Sequence, residues 1–232
     1  MQQVAQFYQI IINKFPLKIL ALFVNNINNM GTVTYSPLAE GLQSIGTYYG
    51  SPSSGVVGYY CQKNFVIVVT PGVSSEDLAA EATWADSQLS NNDYDGDRET
   101  STLTLTGAGA NAYSIPLNLN GTTHLDDLAQ SLYANDVVDY QAGFQNIMTY
   151  TVGLGKNPAA QAFLINTSNN GNGNTNLYDT DDPDYGKFHF QAADPSELAD
   201  RLEDALKSIL ENTATFTAPV VPVTRTSSGD YI

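Results

Sequence analysis

The segment Asn64–Thr70 constrains the fold of this chain more than any other. Phenylalanine, isoleucine and three valines stand together between Asn64 and Thr70, without alternation of polar and apolar residues. An uninterrupted run of this kind is typical of a strand that is covered on both faces, as in the centre of a parallel sheet. Pro71 and Gly72 follow, and they end pairing and favour a turn. The segment therefore predicts a central, buried parallel strand that ends in a loop.

Helical and extended patterns alternate along the rest of the chain. Apolar spacing predicts six helices, at residues 2–14, 36–49, 75–89, 125–133, 157–166 and 196–210. Strand patterns occupy four further segments, at residues 17–24, 101–106, 146–153 and 188–191. Such alternation predicts an α/β fold with a doubly wound sheet. Because ligands of these sheets bind at the carboxyl ends of strands, the loop after Thr70 is the first place to look for function.

The charge balance excludes one class of partner. The 232 residues include 9 lysines and arginines against 24 aspartates and glutamates, which gives a net charge of −15. A chain this acidic repels phosphate backbones, so we expect no nucleic-acid partner. The balance suits an exported protein or one that gathers divalent cations. No segment reaches the roughly 20 apolar residues of a membrane-spanning helix, so we expect no membrane insertion.

The cysteine and histidine content gives no motif for catalysis. Cys61 is the only cysteine, which excludes an internal disulfide, and we expect it to be a small buried or strand-edge residue. His124 and His189 lack metal-ligand spacing, and no GxSxG elbow is present. His189 alternates with two phenylalanines, which predicts a strand residue facing solvent. The GxGxxA pattern at residues 107–112 is followed by an extended segment, which predicts a hairpin loop instead of a nucleotide site. We therefore predict that the chain is not an enzyme, although a hydrolytic site assembled from distant residues stays open.

Two acidic loops are candidate cation sites. Asp93, Asp95 and Asp97 form a D-x-D-G-D pattern that is similar to the first half of a calcium loop. No glutamate follows at the twelfth position, so the pattern is compatible either with Ca²⁺ binding or with a solvated acidic loop. The aspartates of residues 179–184 have less regular spacing and predict an exposed acidic turn.

Several segments, taken in order, resemble the von Willebrand factor A-like N-terminal domain of PilY/PilC proteins, which are tip-associated adhesins and assembly factors of type IV pili. The similar pieces are SPLAEGL at residues 36–42, CQKN at 61–64, LDDLA at 125–129, the strand at 146–153, AADPSEL at 192–198 and FTAPVVPV at 216–223. The resemblance covers residues 31–232 and implies a von Willebrand factor A-like domain over 31–212. Residues 1–30 would be a divergent helix and strand, so the first strand of the fold is expected to be missing or altered. Residues 213–232 would be an extended tail toward a β-propeller that this chain lacks, and long loop insertions are expected.

The resemblance also implies a degenerate metal site. Domains of this family hold a divalent cation with a D-x-S-x-S loop, a lone hydroxyl residue and an aspartate at the end of the central strand. Ser36 stands at the position of the lone hydroxyl, and it is also predicted to cap the helix that follows. Pro71 replaces the aspartate, and no D-x-S-x-S segment precedes it. Ser36 is therefore expected to be the remnant of a metal site that no longer functions.

The functional expectation is a cell-surface or pilus-associated adhesion or assembly module that acts through protein–protein contacts. Its implied partners are pilins or other pilus proteins, a separate β-propeller chain, or a ligand on a host or surface. A pilus or filament subunit joined by strand addition is the alternative from a structural class. A hydrolase with a non-sequential site is the alternative from an enzymatic class.

Overall fold

The computed structural model describes residues 36–76, 102–106, 112–116, 121–174 and 181–214, together with Asn25. The helix and strand predicted at residues 2–24, residues 77–89 of the helix predicted at 75–89, and the tail after residue 214 lie outside the described residues. Ser75 and Glu76, the first two residues of that predicted helix, are not helical. The domain boundaries drawn from the resemblance therefore stay predictions.

The described elements are four helices and five strands. The helices are α1 (Leu38–Gly50), α2 (His124–Ala134), α3 (Pro158–Asn170) and α4 (Leu198–Ala214). The strands are β1 (Asn64–Thr70), β2 (Thr102–Thr106), β3 (Ala112–Pro116), β4 (Ile147–Leu154) and β5 (His189–Ala192). A short 3₁₀ turn, Pro52–Ser54, follows α1. Within the described residues no helix is both long and apolar enough to cross a membrane.

The sheet is parallel, and its described strands lie in the order β1-β4-β5. Asn64 pairs with Ile147, and this register continues to Thr70 opposite Gly153. Among the described strands β4 lies between β1 and β5, so the predicted central position of β1 is not shown. Val69 of β1 is 42% exposed, which is not compatible with complete cover on both faces. The run of apolar residues did identify the strand, but it did not identify its position.

A separate hairpin completes the described strands. β2 and β3 pair antiparallel, with Thr102 opposite Pro116 and Thr106 opposite Ala112. The pairing confirms the predicted hairpin around residues 107–111, although the turn itself lies outside the described residues. The hairpin packs on α3, and its two strands form a sheet separate from that of β1, β4 and β5.

Helices cover both faces of the parallel sheet, as the α/β prediction requires. One face carries α1, α2 and α3, whose buried side chains form the core with Val66 and Ile147. The principal members of this core are Ala39, Leu42, Leu125, Leu128, Ala129, Leu132, Phe163 and Leu164. Burying each of the large apolar side chains contributes roughly 1.5–3 kcal/mol to folding.

The opposite face is covered by α4. Tyr150 is fully buried there, and its ring lies edge-on to Phe65 and Phe188 at centroid distances of 6.1 and 5.2 Å. The Tyr150 hydroxyl accepts a hydrogen bond from Asn212 Nδ2 of α4 at 2.6 Å. Aromatic packing and this polar contact together fix α4 on the sheet.

The end of α3 differs from its prediction. The predicted helix ends at residue 166, but α3 continues through Asn170. Asn169 Oδ1 accepts a hydrogen bond from Gly186 N, and Asn172 Nδ2 donates to the Thr149 carbonyl of β4 at 2.6 Å. Asparagine is a weak helix former, and these long-range hydrogen bonds override its local preference.

Candidate functional site

Ser36 and Ser75 join the segment before α1 to the segment after β1. Ser36 N donates to Ser75 Oγ at 2.8 Å, and Ser75 N donates to the Ser36 carbonyl at 2.9 Å. The prediction that Ser36 caps α1 is wrong, because Pro37 occupies the cap position. The backbone of Ser36 is held against Ser75 instead.

The residues at the end of β1 do not fit the metal site of the von Willebrand factor A-like family. Pro71 has no carboxylate, and the Thr70 hydroxyl is held by Gly72, whose N and O lie 3.3 and 3.2 Å from Thr70 Oγ1. Hard divalent cations need several oxygen ligands, usually with carboxylates among them. In the described part of the chain, no group of three or more His, Cys, Asp or Glu residues could hold a metal ion. Asp93, Asp95 and Asp97 lie outside the described residues.

His189 is enclosed by a polar network between β4, β5 and α3. Its Nδ1 lies 2.8 Å from Thr151 Oγ1, and its Nε2 lies 2.9 Å from Gln161 Oε1. Gln161 Nε2 in turn donates to the Gly155 carbonyl at 3.2 Å. A neutral ring donates from only one of its two nitrogens, and the tautomer decides whether Nδ1 donates to Thr151 Oγ1 or accepts from it.

The environment of His189 keeps its ring neutral. Burial lowers the pKa of His189 from 6.5 to about 4, because a charged imidazolium loses its hydration there. The prediction that His189 faces solvent is therefore wrong. Both ring nitrogens already have protein partners, so the network orders the interior and offers no free proton acceptor to a substrate.

A second buried polar group lies where α2 begins. Asp126 and Asp127 occupy the first turn of α2, and each is 1% exposed. Asn170 Nδ2 donates to Asp126 Oδ2 at 3.3 Å, which links α2 to the end of α3. Carboxylates are favoured at a helix N-terminus by the helix dipole. The sequence predicted this helix but gave no indication that its acidic residues are buried.

Among the described residues, the most exposed large apolar side chains lie at the end of the sheet where β1 and β4 begin. We define the aromatic surface as Tyr59, Tyr60 and Phe144, which are 74%, 70% and 59% exposed. Exposed aromatic side chains on neighbouring loops are typical of surfaces that bind other proteins. Cys61 is also exposed here, shortly before β1, so of the two predicted alternatives the buried residue is wrong.

Hydrogen bonds hold the two loops of the aromatic surface together. Gln145 Nε2 donates to the carbonyls of Tyr60 and Ala142, both at 2.9 Å. Gly143 has a φ of +100°, and a Cβ at this position would lie 3.3 Å from the Tyr60 carbonyl oxygen. Only glycine therefore fits this close approach without strain.

A second glutamine orders the loop that carries Tyr59 and Tyr60. Gln62 Nε2 donates to the Val56 carbonyl at 2.9 Å, and Gln62 Oε1 accepts from Gly58 N at 3.0 Å. Gln62 Nε2 also contacts Asn64 Oδ1 at 3.0 Å, where β1 starts. These contacts present the tyrosines from a loop that is tied to the sheet.

No motif or periodic pattern in the sequence indicates this surface. Its available signal was the tyrosine pair after Gly58 and the phenylalanine after Gly143, all outside predicted helices and strands. The pairing of the two loops depends on contacts between residues about 85 positions apart, which no local pattern shows.

Comparison with known proteins adds no neighbour. The chain matches no family model, and neither a curated protein nor a solved structure matches it.

Proposed function

We propose that the chain is a non-enzymatic binding module that acts through protein–protein contacts at its aromatic surface. The observation that carries the proposal is the exposure of Tyr59, Tyr60 and Phe144 on two loops that Gln145 and Gln62 hold in place. Tyrosine and phenylalanine supply large contact area at a small cost in side-chain entropy, and they are enriched at protein interfaces. Ordering of the loops before binding lowers this cost further.

The resemblance to PilY/PilC proteins supports a more specific version of the proposal. It identifies the module as a von Willebrand factor A-like, cell-surface or pilus-associated adhesion or assembly domain whose partners are pilins or other pilus proteins. The α/β fold with helices on both faces of a parallel sheet is compatible with that family. The misfit at Pro71 favours binding through surface contacts instead of through a metal at the strand end.

Co-sedimentation with pilus filaments tests the proposed function. Filaments sheared from the source organism are mixed with the purified chain and collected by ultracentrifugation. We expect the wild type to enter the pellet and the variant Tyr59→Ser, Tyr60→Ser, Phe144→Ser to stay in the supernatant. Leu210→Ser is the control, because Leu210 is another half-exposed apolar side chain and lies on α4, outside the two loops of the aromatic surface. Equal pelleting of the triple variant and the wild type would contradict the proposal.

A second candidate is a structural subunit that joins other chains by strand addition. The observation in its favour is that β1 lies at an edge of the described sheet, with Val69 exposed. Light scattering after size-exclusion chromatography separates the two candidates. A concentration-independent monomer counts against the structural subunit, and concentration-dependent chain growth supports it.

Calcium binding by Asp93, Asp95 and Asp97 is proposed from their spacing alone. Isothermal titration with CaCl₂ should give a binding event for the wild type that Asp95→Ala lacks, because the substitution removes a central carboxylate ligand. Identical heats for the two proteins would leave the solvated acidic loop as the correct interpretation.

A further inference from the structure

A groove opens between the C-terminal ends of α1 and α2. Its volume is about 290 Å³, and Gly46, Thr47 and Gly50 of α1 line one side of it. A Cβ on Gly50 would lie 2.9 Å from the Val137 carbonyl oxygen, so a glycine at this position leaves room for Val137 to approach α1. The volume is close to the lower end of the range for small ligand sites, which is roughly 300 Å³.

The electrostatic environment of the groove favours a cation. The C-terminal ends of two helices meet there, and each is the negative end of its helix dipole. Neither helix has a basic residue in its last turn to offset that charge. Asp136 lies in the lining as well and adds a carboxylate to the same groove.

The hydrogen bonds of Asp136 fix the orientation of its carboxylate. Asp136 Oδ1 accepts from Val138 N at 3.3 Å and from Gln145 N at 3.1 Å. Both N–H groups donate to the same oxygen, Oδ1. An arginine that bound both carboxylate oxygens at once would therefore compete with these backbone donors for Oδ1. An ammonium group needs only single acceptors in several directions, and the second carboxylate oxygen together with carbonyl oxygens can supply them.

The groove adjoins the aromatic surface through the same loop. Gln145, whose N–H bonds Asp136, also donates to the Tyr60 carbonyl. Tyr140 lies in this loop too, and its hydroxyl donates to the Tyr49 carbonyl of α1 at 3.3 Å. The same loop therefore forms part of both sites, and a partner that covers the aromatic surface lies beside the groove.

We propose that this groove receives the ammonium group of a lysine side chain from the partner protein. The proposal rests on the proposed function and deepens it. It specifies that the partner carries a lysine next to the region that contacts the aromatic surface. The net charge of −15 on this chain complements such a basic residue. Because the ion pair is partly exposed, a free ammonium ion binds weakly, and it binds less tightly as salt increases.

Titration with n-butylammonium, followed by NMR of the ¹⁵N-labelled chain, tests the groove without any partner protein. We expect saturable shifts of the amide signals of Thr47, Ser131 and Asp136, which are reduced by added NaCl. Uncharged n-butanol and tetramethylammonium, which has no N–H donors, are the matched controls. If either control shifts the same signals at the same concentrations, or if butylammonium shifts none of them, the proposal is overturned.

Two variants separate the groove from the rest of the fold. Asp136→Asn keeps an oxygen for the two backbone donors but removes the charge, so it should abolish most of the butylammonium response.

Thr47→Lys places an ammonium of the chain itself at the groove, so it should raise the Tm above that of the uncharged control Thr47→Met and block butylammonium binding. If Thr47→Lys binds butylammonium as the wild type does, the groove is not the site. Loss of pilus co-sedimentation in the aromatic variant with butylammonium binding intact would separate the two proposals.

Discussion

His189 shows how enclosure changes the chemistry of one side chain. The unperturbed imidazole titrates near physiological pH, but the ring of His189 lies between Thr151 and Gln161 and its pKa falls to about 4. The folded state therefore binds this proton less readily than the unfolded state, in which the pKa is 6.5. The stabilisation from neutral His189 is complete above pH 6.5 and is lost as the pH falls to about 4.

Replacement of His189 by glutamine should remove this part of the pH dependence. Between pH 7 and pH 4 the free energy of unfolding of the wild type should fall by up to about 3 kcal/mol more than that of His189→Gln. Urea unfolding of both proteins measures it, and the titration of the 24 acidic residues cancels in the difference. An NMR titration that placed the pKa of His189 near 6.5 would contradict the expectation.

The error in placing His189 from sequence has a physical cause. Alternation of Phe188, His189 and Phe190 indicates a polar side facing water only when one face of the strand is open. β5 packs against both α3 and α4, so neither of its faces is simply a solvent side. The polar ring is half-buried, and its partners Thr151 and Gln161 both come from other elements of the chain.

At the scale of elements, Asn157 is the clearest helix cap. Its side chain accepts from Ala159 N at 3.1 Å and from Ala160 N at 3.4 Å, ahead of Pro158 in the first turn of α3. We expect Asn157→Ala to lower the free energy of unfolding by about 1 kcal/mol, because two N–H groups lose their acceptor. Asn157→Ser should retain most of the stability, since serine also caps. Equal urea midpoints for the alanine variant and the wild type would show that water replaces the cap.

Two glycines of α1 should respond in opposite directions to the same substitution. A Cβ on Gly41 meets nothing within 4 Å, so Gly41→Ala should stabilise the protein by roughly 0.5–1 kcal/mol through helix propensity. A Cβ on Gly50 would lie 2.9 Å from the Val137 carbonyl, so Gly50→Ala should destabilise it. Thermal unfolding of both variants checks the pair. A gain at Gly50 would mean that the segment after α2 moves freely away from α1.

Elements with a strong local signal were predictable, and their surroundings were not. The apolar run of β1, the Asn-Pro start of α3 and the apolar spacing of α4 each predicted the correct kind of structure. The central position of β4 was not readable, because Thr149 and Thr151 lower its apolar content. Thr151 Oγ1 nevertheless has the Leu164 carbonyl of α3 as an acceptor at 2.9 Å, which makes a buried hydroxyl tolerable in the central strand.

At the scale of the whole molecule, the α/β class followed from alternation of elements, whereas the candidate site did not. The aromatic surface combines the segment before β1 with the loop between α2 and β4. The groove combines the end of α1 with the same loop. Their parts lie about 85 residues apart in sequence and are joined by side-chain to backbone hydrogen bonds. Local patterns carry no information about such pairings, which are decided by how the helices pack on the sheet.

The charge of the whole molecule makes a final prediction about salt. With a net charge of −15, the folded chain brings like charges closer together than the unfolded chain does, and this repulsion lowers stability. The Debye length falls from about 30 Å at 0.01 M salt to about 8 Å at 0.15 M. We therefore expect the Tm to rise between these NaCl concentrations and to rise equally in KCl, because screening does not distinguish the two cations. A Tm that falls with salt would show that attractive ion pairs, such as Lys187 with Asp184 at 2.8 Å, outweigh the repulsion. A larger rise in CaCl₂ at equal ionic strength would exceed screening and indicate specific cation binding, so the same measurement separates the charge of the molecule from the chemistry of a site.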